Sequence, residues 1–109
     1  MILPPGKCKL LKIYVGELQK YNGKSLYHSI VLKLKNLGIA GVTVSRGVEG
    51  YGVANLIKKV GILDLSADLP MIIEAVDTEE NISSVLPIIS DMVKRGLIYV
   101  VDADVIKHG

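Results

Sequence analysis

Within the seven residues RGVEGYG, an arginine (Arg46) is followed by three glycines, Gly47, Gly50 and Gly52, with Tyr51 between the last two. Glycines let backbone N–H groups come close to a ligand, and a nearby guanidinium adds charge, so the pattern describes a seat for a small anion or phosphate. It opens a stretch of 22 residues, Gly47 to Asp68, lying between two strand-like segments. Ordinary connections take ~4 to 6 residues, and loops of this length are usually functional or disordered. Within it, Val53 to Val60 reads as a helical turn carrying Lys58 and Lys59, two further cations for the same anion.

Other reactive side chains are sparse. His28 falls on a helical stretch and His108 at the C-terminal end, with no nucleophile or second ligand at motif spacing. Asp102 and Asp104 are two apart on a strand, hence on one side of it, and are the first candidates for a divalent cation. The commoner role of such a pair is an exposed strand edge. Asp77, Glu79 and Glu80 suit the start of a helix better than an acid-base pair. Cys8 stands alone, so it makes no internal disulfide and no zinc site, and reads as a small strand residue. The expectation is a protein without enzymatic activity, required cofactor or metal site. GYGV resembles the central motif of RNA-recognition domains. However, Glu49 stands where a cation is wanted, Val53 and Leu56 replace stacking aromatics, and the chain has no Phe or Trp. A nucleic-acid partner is not expected.

The elements that must position these groups show in the periodicity. Lys9 to Val15 is rich in β-formers and ends at Gly16, which reads as a strand. Leu26, Tyr27, Ile30, Val31, Leu34 and Leu37 form a helical stripe, with Ser25 placed to cap it and Gly38 to end it. AGVTVSRGV is a second strand with Val42, Val44 and Val48 on one side. Leu69 to Val76 is a third. Thr78 opens a second helix through Ile82, Val85, Leu86, Ile89, Met92 and Val93, kinked at Pro87 and stopped by Gly96. Leu97 to about Ile106 is the last strand. The order β-α-β-β-α-β predicts an α+β ferredoxin-like fold, a four-stranded antiparallel sheet with two helices on one face. Leu97, Tyr99 and Val101 alternate with Ile98 and Val100, and Leu10 and Tyr14 with Leu11, Ile13 and Val15, so both faces of the sheet carry apolar residues. The face without helices therefore needs other copies of the chain to cover it.

A chain of 109 residues, half hydrophobic and with 22% charge, is one domain, residues 1–109, that buries a full core. No apolar run reaches the ~20 residues that span a bilayer, and the prolines in MILPPGKCK break up any signal-peptide core, so a cytoplasmic location is expected. The net charge of +2 hides an asymmetry. Met1 to Lys59 carries 10 Lys and Arg against 2 acids, and Val60 to Gly109 carries 3 against 9. The two halves solvate separate faces, or they complement each other between copies.

GVTVSRGVEGYG and GLIYVVDADVIKH resemble the approach to the long loop and the final strand of PII nitrogen-regulatory signal proteins. Together with KIYVGE, KYNGKSLY, DLSADLP and VDTEE, they look like a PII-like branch that forms a family of unknown function. The resemblance implies a homotrimer with its sheets facing inward. It implies small effectors, typically adenine nucleotides, in clefts between subunits, and a loop that docks on a regulated enzyme or a membrane transporter or channel. Carried over, Arg46, Gly47, Gly50, Tyr51 and Gly52 would line the cleft, completed by Arg95 and Gly96 before the last strand and Lys107 near the C-terminus. Leu97, Val53 and Gly109 stand where PII proteins place cations, and each missing cation removes a phosphate contact of ~1.5 to 3 kcal/mol. Tyr51 lies at the loop base rather than the tip, so uridylylation is not expected. Two other readings stay open: a divalent-metal-responsive trimer of the cation-tolerance type, and an effector-free adaptor for a transporter or channel.

Overall fold

The computed structural model describes residues 2–52, 58–59 and 68–109. In chain order its elements are β1 (Gly6–Gly16), β2 (Lys20–Tyr21), β3 (Lys24–Ser25), α1 (Leu26–Asn36), β4 (Val42–Arg46), β5 (Glu49–Gly50), β6 (Lys58–Lys59), β7 (Pro70–Asp77), α2 (Glu79–Met92) and β8 (Leu97–Val105). The main sheet runs β4-β7-β1-β8 and every neighbour is antiparallel. This is the ferredoxin-like arrangement that the residue pattern predicts.

Strand alternation decides which residues the helices cover. Leu11, Ile13 and Val15 of β1 and Met71, Ile73 and Ala75 of β7 face the helices. They pack with Ile30 and Leu34 of α1 and Ile82, Val85 and Ile89 of α2 in one core. The opposite parity, Leu10, Lys12 and Tyr14 with Ile72, Glu74 and Val76, lies on the uncovered face. The register adds Leu97, Tyr99 and Val101 from β8 to that face, and Thr43 and Ser45 from β4.

The two helices begin differently. Thr78 caps α2 as expected, its hydroxyl accepting from the Asn81 backbone N–H at 3.2 Å. Ser25 holds the N-cap position of α1, but its hydroxyl makes no cap bond and is buried without a partner. Its carbonyl instead accepts from the Ser29 hydroxyl. At the far end, Gly38 takes φ +85°. Its N–H reaches the Lys35 carbonyl and that of Ile39 reaches Leu34, the paired bonds of a Schellman stop.

One element went unread and three readings of the sequence change. Asn22 (φ 51°) and Gly23 (φ 78°) turn the β2–β3 hairpin, an Asn-Gly signal that the helical periodicity nearby obscures. Val48 lies beyond β4 and is 72% exposed, because the chain turns away at Gly47. α2 continues through Pro87 and ends at Met92, before Gly96, which instead precedes β8. Lys58–Lys59 is a strand paired with Glu49–Gly50 and not part of a helical turn; the rest of Val53 to Val60 lies outside the described residues.

Asp77 is the one fully buried charged side chain among the described residues. One carboxylate oxygen accepts from the Thr78 N–H at 2.6 Å and the Asn81 amide at 2.9 Å, the other from the Ala40 N–H at 2.9 Å. It ties the α1–β4 connection to the first turn of α2, placing the C-terminal end of α1 beside the N-terminal end of α2.

Candidate functional site

The base of the long loop is held on its outgoing side by the start of β7 and on its returning side by the turn that follows β1. On the outgoing side, the Gly47 N–H donates to the Pro70 carbonyl at 2.7 Å, and a Cβ on Gly47 would stand 2.6 Å from Pro70 Cγ. Only glycine allows that approach. On the returning side, Asp68 Oδ1 accepts from the Leu18 N–H at 2.7 Å and the Glu17 N–H donates to the Leu69 carbonyl at 2.8 Å. Gly16 lies so close to the Asp68 carboxylate that a Cβ would displace it. Arg46, half exposed, has its Nε 3.8 Å from Glu17 Oε2, a pairing loose enough to leave the guanidinium edge free for another anion.

Gly50 crosses over the Pro70 ring and pairs with Lys58 in the short β5–β6 ribbon. Tyr51 is 70% exposed, and among the described residues it makes no core contact and nothing lies within 4 Å of where a Cβ on Gly52 would stand. Replacing Gly47 with valine is expected to push Pro70 away and break the Gly47–Pro70 bond, costing about 1 to 3 kcal/mol. A thermal melt checks this, and an unchanged melting temperature would deny that the close approach matters.

Arg95 is exposed in the bend before β8, and Gly96 follows with no room for a side chain, since a Cβ would run into the Tyr14 carbonyl. The register places Arg46–Gly47 and Arg95–Gly96 at the same end of the sheet but on its opposite edges, β4 and β8. Lys107 lies past the other end of β8, roughly 30 Å away along the strand. Within one chain the eight positions therefore form two clusters and one outlier, not one pocket. Sequence reading missed Glu17, Asp68 and Pro70, which fix the loop base; of the three only Pro70, at the start of a strand and two positions after Asp68, carries a signal in the sequence.

The uncovered face carries a polar centre in an apolar surround. Lys12 stands 3.9 Å from Glu74 and 5.8 Å from the Tyr14 ring centre, and Tyr14 stacks on Tyr99 with centroids 6.1 Å apart. The Tyr99 hydroxyl, helped by Lys12, holds the Tyr14 phenol below its ordinary value, and Tyr14 in turn pushes Tyr99 up. At the sheet end that carries Lys107, a depression of about 490 Å³ crosses this face, lined by residues that include Leu10, Thr43, Glu74, Val76 and Lys107. His108 there accepts the Leu3 N–H on Nδ1 at 2.8 Å.

Asp102 is engaged by Lys9 rather than free for a cation, and Asp104 sits opposite Lys7. Among the described residues no three His, Cys, Asp or Glu side chains gather within reach of one metal ion. The Lys9 ammonium hydrogen-bonds the Asp102 carboxylate and holds it below the usual range, while Lys9 is raised chiefly by the same bond. The depressed carboxylate contributes stability above its unfolded pKa of ~3.9, lost as pH falls through the folded value; the raised lysine contributes below ~10.4 and loses it above. Asp102→Asn should lower the melting temperature slightly at neutral pH and converge with the wild type in acid, so that the variant's acid limb is flatter. An unaltered acid limb would contradict the pairing.

Two helices over a four-stranded antiparallel sheet, with residues 47–68 joining two of its strands at one end, define a ferredoxin-like α+β fold. Matching the family model described as DUF190, "Uncharacterized ACR, COG1993", over residues 8–105, the chain belongs to that family. It is 46% identical over 102 residues to a UPF0166 protein of Methanocaldococcus jannaschii, covering 93% of this chain and 94% of that one. A UPF0166 protein of Aquifex aeolicus is 36% identical over 100 residues, covering 92% and 94%. Among solved structures, one described as a PII-like signalling protein of Thermus thermophilus superposes with a TM-score of 0.68 at 20% identity, covering 94% and 93%. CPII of Thiomonas intermedia K12, a nitrogen regulatory PII-like protein solved with ADP, AMP and bicarbonate, gives 0.69 at 20% identity, covering 91% and 88%. At these identities the structural likeness speaks for the fold. No helix among the described residues is long and apolar enough to cross a membrane.

Proposed function

We propose that this protein is a non-enzymatic signalling trimer that takes a small anionic effector, an adenine nucleotide, into clefts between subunits. Its loop, 47–68, regulates a partner protein in response. The observation that carries this reading is the split of the cationic positions: Arg46 with Gly47, Arg95 with Gly96, and Lys107 stand at two edges and two ends of one sheet. Copies joined through the uncovered face would bring an edge of one chain to an end of the next. Adenine nucleotides in CPII, a protein of the same fold, support the ligand class. In the cleft Arg46, Arg95 and Lys107 neutralise phosphate, Gly47, Gly50 and Gly52 allow close backbone approach, and Tyr51 stacks or packs. The partner is a regulated enzyme, transporter or channel, in a cytoplasmic setting.

A thermal-shift series with ATP, ADP, AMP and cyclic nucleotides tests the effector. At a hundred times Kd a bound nucleotide stabilises by about 2.7 kcal/mol, a shift of about 10 °C for a chain of this size. That shift should shrink in Arg46→Ala and Arg95→Ala. No shift with any nucleotide would overturn the reading.

A further inference from the structure

The helix layer carries a charge pattern that the loop-base site does not use. His28, Leu32 and Lys35 follow one another at helical spacing along the outer side of α1, with Lys24 of β3 just ahead of the helix, all exposed, and no acidic residue occurs anywhere from Leu18 to Val48. Alongside it the outer stripe of α2 runs Glu80, Ser84, Pro87 and Asp91, with no basic residue in the helix. None of Lys24, Lys33 and Lys35 meets a carboxylate among the described residues.

The two helices are antiparallel. β1 and β4 both pair antiparallel with β7, so α1, which joins them, runs against them; by the same logic α2 runs against β7 and β8. The Asp77 carboxylate, bonded to Ala40 after α1 and to Thr78 before α2, marks where the C-terminal end of one meets the N-terminal end of the other. A positive and a negative stripe side by side form a surface complementary to itself under a two-fold axis parallel to the helices. That rotation lays α1 of one copy on α2 of the next and reciprocally, with Lys35 meeting Glu80 and the Lys24–His28 end meeting Asp91. His28 and Lys35 are seven positions apart on α1, about 10 Å, and Glu80 and Asp91 eleven apart on α2, about 16 Å, with Lys24 extending the basic side beyond the start of α1.

We infer that the outer helix face is a docking surface for the same face of a second copy, an isologous contact independent of the uncovered sheet side. An anionic membrane would meet the acidic α2 stripe together with the basic one, so a flat negative surface fits less well than a two-signed protein face. The paired helices cover about 20 by 20 Å, placing the contact in the weak, transient class, governed by charge and sensitive to salt.

Sedimentation velocity tests this with a charge exchange. In about 20 mM salt the wild type should associate further as concentration rises, and in about 500 mM salt it should not. Lys24→Glu with Lys35→Glu, and separately Glu80→Lys with Asp91→Lys, should each lose that association at least tenfold, while an equal mixture of the two variants recovers it. A mass independent of salt and unchanged by either variant overturns the inference. So does retention of the wild type on phosphatidylglycerol vesicles without self-association.

Discussion

Asp77→Ala is expected to lower stability by about 3 to 5 kcal/mol, the largest effect of any single substitution in the described chain. The carboxylate has no exposed surface and satisfies three donors, Ala40 N–H, Thr78 N–H and the Asn81 amide. Removing it leaves all three without partners in a dry site, and unmet buried donors cost ~1 to 3 kcal/mol each, only partly relieved by relaxation. For a domain of this size the melting temperature should fall by more than about 10 °C. Asp77→Asn preserves the volume and one acceptor, and should lose about half as much. A differential scanning calorimetry trace within about 2 °C of wild type for Asp77→Ala would remove this residue from its place as the tie between α1 and α2.

The second large effect lies on the uncovered sheet. Leu10 and Val101 are cross-strand partners there, with Val101 43% and neighbouring Leu97 54% exposed in the single chain. Fully burying such a side chain stabilises by about 1.5 to 3 kcal/mol, and a trimer buries the set three times over. Leu10→Glu combined with Val101→Lys keeps the cross-strand pairing as an ion pair in the monomer but places charges where other copies must pack. Light scattering should give three times 11.8 kDa for the wild type and a single chain mass for the variant, with an unchanged circular dichroism spectrum. A wild type that scatters as a monomer at micromolar concentration would contradict the assembly.

The fold was legible because alternation and helical periodicity agree along nearly the whole chain. Leu11, Ile13 and Val15 on one side of β1, and Ile82, Val85 and Ile89 on one side of α2, leave a single way to bury both sets. Local chemistry was read less well where two signals compete. Asn22-Gly23 is a hairpin turn immediately before a helical stripe, and the stripe is the stronger pattern. Ser25 has the residue type of a cap but sits in β3 with its hydroxyl buried and unpartnered, so type alone did not disclose that the cap bond is not made. For the site, glycine spacing pointed to the loop base, and Gly47 against Pro70 supplies a physical reason for one of those glycines. Glu17 and Asp68 were beyond reach because their role depends on which turn lies beside the loop. That is a tertiary fact, and no local spacing encodes it. The distance between Gly96 and Lys107, by contrast, was already contained in the last strand read from Leu97 to about Ile106, which the structure gives as Leu97–Val105.

Isothermal titration of ADP into the wild type and into the Leu10→Glu, Val101→Lys variant tests the central claim most directly. Clefts built between chains should give one nucleotide site per chain in the assembled protein and no measurable heat of binding in the separated, folded chain. Equal binding by both would place the nucleotide within a single subunit, and absence of binding to the assembled protein would remove the effector altogether.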